Sequence, residues 1–188
     1  MLSASKTSAT NNKVIWQNVN ELAQGGFTLD DSAFAAGAVI LAGTPIGFDE
    51  STRIAKVAKL AVASAAATNT DVTYQVKKGH NLKVGSSIKS GASAAKAITA
   101  IDTTNANYDV ITTATTLGVA VAIGDAIFID DAGYTGVKGL LYADVEIDSN
   151  GIASAAVLIS GTVYDRRISP IPSTIKAKMP LITFSQSY

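Results

Sequence analysis

The sequence predicts a mainly β protein: a small β-barrel or sandwich domain carrying an inserted, compact β subdomain, with a flexible or extended N-terminal arm. Three observations lead there. Gly139 to Tyr164 holds two runs of period-two alternation on either side of a Ser149-Asn150-Gly151 break, the pattern of two half-buried strands joined by a turn. From Asp71 to Ile129, apolar runs are short and closely spaced, too close for βαβ units. Small residues dominate, and aromatic residues are only 6% of the 188 positions, which suits many thin strands better than an aromatic-rich core.

Taken in order, residues 1–12 (MLSASKTSATNN) have nothing to bury and predict a mobile or extended segment. Lys13 to Gln24 reads two ways. Ile15, Val19 and Leu22 suit a helical face stopped by Gly25-Gly26, whereas Val14, Trp16 and Asn18 suit a short strand. Ala38 to Ala42 is a compact apolar strand. Gly43-Thr44-Pro45-Ile46-Gly47 reads as punctuation, with Pro45 fixing its φ and lacking a donor. Phe48 to Arg53 reads as a polar connection, and Ile54 to Val62 as an alternating strand or a helix with Lys56 and Lys59 on one side.

Ala63 to Thr70 (ASAAATNT) is low in complexity and reads as a linker. Strands follow at Val72 to Val76, Ala97 to Ile101, Tyr108 to Thr113 and Ala126 to Ile129. Turns lie at Lys77 to Asn81 and Asn105 to Asn107. Asp130 to Lys138 reads as a second linker. After the paired strands, Thr174 to Met179 suits one helical turn stopped by Pro180, and Leu181 to Phe184 a final strand. These breaks predict an arm over 1–26, a base β domain from 27–62 plus 137–188, and an inserted β subdomain over 71–131.

The register of the central pair can be argued. A two-residue turn pairs Ser149 with Ile152 and sets Val145 on the face of Ser154 and Leu158. A three-residue loop pairs Asp148 with Ile152, Val145 with Ala155, Ala143 with Val157 and Leu141 with Ile159. Only the second gathers both apolar rows on one face, since a one-residue slip inverts a strand. The three-residue loop is therefore expected, with Gly151 left-handed.

Composition narrows the function. Lys plus Arg and Asp plus Glu both number 15, so no net charge is available to hold a nucleic-acid backbone or an anionic membrane. Charged residues are only 16%; such a surface suits a subunit packed against copies of itself or a larger body. No apolar run approaches the ~20 residues of a membrane span, and no secretory signal pattern opens the chain. With no cysteine and one histidine, neither a Cys–His pair nor a His-rich zinc site can form within one chain. His80 lies in a Lys-Gly-His-Asn turn, and no Gly-x-Ser-x-Gly elbow accompanies it. Asp125, Asp130 and Asp131 lack the Asp-x-Asp-x-Asp-Gly spacing of a calcium loop. Arg166-Arg167 is too short to track a nucleic acid and reads as a strand-edge cap or an acid partner. No catalytic residue, metal ligand or cofactor is expected. Lys13, Trp16, Val19 and Leu22 are the candidate contact residues for a protein partner, with Trp16 alternatively covering the edge of the core.

Several stretches together carry a resemblance: AGAVILAGTPIGFDESTRIAKVAKLA at 36–61, YQVKKGHNLKVGSSI at 74–88, ITAIDTTNANYDVITTATTLGVAVAIGDAIF at 98–128, and AVLISGTVYDRR…IPSTIKAKMPLITF at 156–184. In order and context they resemble the head fibre and capsid decoration proteins of tailed bacteriophages, especially those infecting gut Bacteroidota. The likeness runs from about Gly37 onward and adds nothing over the first 26 residues. It implies a non-enzymatic virion component on the outer surface of the capsid, commonly a homotrimer, with the major capsid protein as partner and neither nucleic acid nor membrane. Two other readings stay open. A carbohydrate-binding module needs an aromatic platform, for which only the scattered Tyr74, Tyr108, Tyr134 and Tyr142 are on offer. A hydrolase would have to use His80.

Overall fold

A computed structural model describes residues 14–30, 37–129, 136–147 and 153–187. The described residues are nearly all β. Strands are numbered in chain order. The first sheet contains β1 (Trp16–Leu22), β2 (Phe27–Asp30), β4 (Pro45–Asp49), β5 (Ile54–Val57), β12 (Val137–Leu141), β14 (Ser154–Ala155), β15 (Val157–Tyr164) and β16 (Ile182–Ser185). Its order is β1-β15-β12-β4-β5-β2-β14, with β16 parallel to β15. Ala156 alone separates β14 from β15. One stretch of chain therefore supplies strands near both ends of the path, and the sheet curls into a half-barrel.

The second sheet contains β6 (Leu60–Val62), β7 (Thr73–Lys77), β8 (Ser87–Lys89), β9 (Lys96–Asp102), β10 (Tyr108–Thr113) and β11 (Ala126–Ile129), in the order β6-β11-β8-β9-β10-β7. Just past β6, an Ala63–Val76 bridge and a 2.9 Å hydrogen bond from Ser64 N–H to Gln75 O join the two ends of this path. A third, two-stranded sheet pairs β3 (Val39–Ile40) with β13 (Val145–Glu146).

Three cores fill these sheets. Phe27, Leu29, Ile46, Val57, Leu141 and Val157 lie in the first. Leu140, Val163, Ile175, Met179 and Phe128 lie in the second, closed by the helical turn α1 (Ser173–Lys176). Tyr74, Val76, Ile88, Ile98, Ile111 and Ile127 lie in the third. Leu140, Leu141, Val157 and Leu158 are all 0% exposed, so the middle of the first sheet is buried on both faces. The half-buried strand inferred from its alternation holds at neither β12 nor the start of β15.

Several sequence expectations are corrected. The central pair is shifted by two residues: Leu140 faces Leu158 and Leu141 faces Val157. Parity is kept, so Leu141, Ala155 and Val157 share the first core. The pair then splits. Val145 pairs with Ile40, and Ala155 with Phe27, while Asp144 Oδ1 accepts from Ala42 N–H at 2.7 Å. Each strand end meets a longer-range partner instead of its sequence neighbour. The loop at Ser149 to Gly151 lies outside the described residues.

Pro45 to Asp49 is a strand, not punctuation and connection. Pro45 opens it, where a missing donor is tolerated, and its carbonyl accepts from Ala58 N–H at 3.0 Å. Burial of Ile46 in the first core outweighs local turn propensity. Ile54 to Val62 is interrupted at Ala58-Lys59, and its two halves serve different sheets, so Leu60–Val62 leaves the base segment assigned to it. The alanine-rich linker is stitched in: Ala63 bridges to Val76 and Ala67 to Val121, with Ala63 in the third core. Trp16–Leu22 is a strand paired with β15, so this part of the expected arm belongs to the sheet. Residues 1–13 of that arm lie outside the described residues. Of the second linker, Val137 and Lys138 belong to β12.

Gly139 gives a test of the double-sided burial. A Cβ there would overlap Leu158 O and press on Val157 Cγ1. Gly139→Ala is expected to lower stability by about 2 kcal/mol or more, read as a lower urea midpoint.

Candidate functional site

Three of the four candidate contact residues, Trp16, Val19 and Leu22, fall on one strand. β1 ends its sheet path, paired with β15 on one side. Its register breaks between Trp16 and Asn18, between Val19 and Glu21, and between Glu21 and Leu22. Such irregularities twist an edge away from unwanted pairing. Val19, opposite Gly161, is 36% exposed, and Leu22 is half-buried opposite Leu158. Trp16 is half-buried and packs on the second core. Its ring stacks on Tyr142 at 5.8 Å and 17°, and its Nε1–H donates to Tyr142 O at 2.9 Å. Trp16 is therefore partly committed to the fold. Lys13 lies outside the described residues. Arg167 caps the entry to β1, donating from Nη1 to Val14 O at 2.7 Å while its guanidinium covers the Tyr164 ring at 4.6 Å.

A second cluster surrounds His80, whose side chain is 7% exposed. Nδ1 accepts from Leu82 N–H at 3.2 Å. Nε2 lies 3.3 Å from Asp109 Oδ2, off the line of a good hydrogen bond. Lys78 Nζ donates to Asp109 Oδ1 and, at 2.9 Å, to Thr103 O. Burial holds the imidazole below its ordinary pKa; Asp109 opposes that shift and Lys78 adds to it. The ring borders a cleft of about 380 Å³ between the first and second sheets, with Pro45, Leu60 and Ser169 also in its wall. A Ser–His–Asp relay needs one ring nitrogen toward the acid and the other toward the serine. Here the nitrogen not facing Asp109 is taken by Leu82 N–H, so His80 is not placed to take a proton from Ser169.

Asn81, which the sequence marked only as a turn residue, proves central. Its Oδ1 accepts from Leu60 N–H and its Nδ2 donates to Ala58 O, both at 2.9 Å. It thus holds the crossover between β5 and β6 by both ends of its amide. No local pattern marks such a role, because the partner backbone lies more than 20 residues away.

The remaining sequence candidates do not converge. Asp125 Oδ2 accepts from Ala122 N–H in its own turn at 2.8 Å. Asp130, Asp131 and Tyr134 lie outside the described residues. Among the described residues no group of three or more acidic or histidine side chains could hold a metal ion. None of their helices is long and apolar enough to cross a membrane. Tyr74 is buried, donating to Asp71 O at 2.7 Å and accepting from Leu117 N–H at 3.0 Å, so its ring is no sugar platform. Comparison with protein-family models, with curated proteins and with solved structures gives no match.

Two outcomes are expected. Asn81→Ala strands a backbone donor and acceptor and is expected to cost about 1–3 kcal/mol, measured by urea unfolding. Because Trp16 is stacked and hydrogen-bonded within the sheet, its fluorescence is expected to change in the same transition as far-UV circular dichroism. An earlier fluorescence change would show β1 detaching first.

Proposed function

We propose that this protein is a structural component of a phage virion, a head fibre or decoration protein bound as a homotrimer to the outer surface of the capsid. The observation that carries the reading is β1, an edge strand with an exposed Val19 and a half-buried Trp16. Because the bulges of β1 disfavour strand addition, the contact runs through these side chains rather than through the backbone. The phage-protein resemblance, the zero formal net charge and the low charge content support the same reading. The mechanism is mechanical: binding the assembled shell in preference to loose subunits stabilises the shell by mass action, and repetition over a symmetric lattice multiplies weak contacts. The partner is the major capsid protein. The function requires no cofactor, nucleic acid or membrane.

The stacked Trp16–Tyr142 pair, both rings half-buried, favours a second reading, a carbohydrate-binding adhesive module displayed on the particle. Glycan-array binding by the isolated protein would favour it.

Sedimentation tests the assembly: a trimer is expected at micromolar concentration, and a clean monomer would count against the proposal. Electron microscopy of particles with and without the protein tests its position. Val19→Asp leaves the cores intact and is expected to weaken co-sedimentation with assembled shells by roughly tenfold. Undiminished binding of that variant would remove β1 from the interface. Deleting residues 1–24 is a poorer test, since it strips β1 from β15.

A further inference from the structure

The turn at residues 78–82 joins two functions in one short segment. Asn81 grips the crossover between the two larger sheets at Ala58 and Leu60. His80, the residue before it, is seated by Leu82 N–H and by Asp109. The seat suits only one protonation state. Because Nδ1 accepts a backbone N–H, the neutral ring carries its proton on Nε2. A second proton must then arrive on Nδ1. It would set two N–H groups face to face at 3.2 Å, and the ring or the Leu82 backbone must move.

Neighbouring charges do not cancel this conflict. Asp109, on β10, attracts an imidazolium, but its other oxygen is already engaged by Lys78. Lys78, on the same turn, repels one. Lys83 borders the same cleft. From the first and third sheets and the segment joining them, Val39, Ile40, Leu41, Thr44 and Pro45 face the cleft, and none of them titrates.

We propose that the His80 turn is an acid-sensitive latch: protonation at Nδ1 unseats His80, withdraws Asn81 from Ala58 and Leu60, and loosens the second sheet from the first. The inference does not depend on the virion reading. The sign follows from linkage. Unseated, the ring titrates near its ordinary value of 6.5; seated, it lies lower because it is buried. The latch is therefore at full strength above that ordinary value. It weakens as pH falls through it toward the seated value, since the open form binds the proton more readily.

Amide hydrogen exchange of the full chain, resolved by residue and corrected for intrinsic rates, tests this at about pH 7.5 and about pH 5, which bracket an unperturbed imidazole. Protection at Leu60 and Leu82 is expected to fall roughly tenfold or more on acidification, while Leu140, in the first sheet, keeps its protection. In His80→Asn the side-chain oxygen retains an acceptor for Leu82 N–H and does not titrate, so both amides are expected to stay protected. Unchanged wild-type protection would overturn the latch. So would loss at Leu82 without loss at Leu60, an equal loss at Leu140, or the same acid response in His80→Asn. If His80→Asn fails to fold, the wild-type comparison of Leu60, Leu82 and Leu140 decides alone.

Discussion

Strand β15 has to hide both of its faces where it begins, at Val157 and Leu158, and much of the first sheet follows from that demand. Val157 turns into the first core and Val163 into the second, with Leu158 fully buried between them. A strand buried on both sides needs neighbours along both edges as well as cover above and below. β1 lies along one edge; β12 and then β16 take the other. The cover comes from the curl of the sheet on one side and from α1 with Ile171 and Met179 on the other. Glycine at 139 and 47 lets backbones approach where any side chain would collide with a carbonyl.

The second sheet solves a different problem. Its strands are short, and short strands leave many unpaired ends. Joining β6 to β7 through Ala63 and Val76 removes the two free edges at little cost in chain length. Small side chains at Ala61 and Ala63 let the larger Tyr74, Ile88 and Ile127 fill the same interior. Tyr74 keeps its hydroxyl satisfied by Asp71 O and Leu117 N–H, as a buried phenol requires. Its ring is thereby withdrawn from any surface role.

Legibility in the sequence was uneven for physical reasons. Tyr108–Thr113 and Ala126–Ile129 were visible because each alternates or clusters within its own few residues. Trp16–Leu22 was ambiguous because helix and strand patterns both fit; the edge of β15 decides it. Pro45–Asp49 was hidden by turn-forming residues whose preferences burial overrode. The alanines at 63 and 67 looked like a linker because close packing and low complexity can use the same residue. At the candidate interface, Trp16 was named as a contact residue, but its hydrogen bond to Tyr142 joins residues 126 apart and left no local pattern. Asn81 was marked only as a turn residue, with no sign of its grip on Ala58 and Leu60.

The amino-acid sequence by itself determined that this chain is built of β strands, roughly where many of them run, and which side of the Leu141 and Val157 strands faces a common core. These are local properties, written in a period of two. Tertiary structure alone decided which strand each one meets, that the central pair shifts by two residues and then parts, and that an asparagine in a turn holds two sheets together. Pairing depends on which distant edge is free and which faces remain to be covered. Those conditions exist only once the rest of the chain is in place.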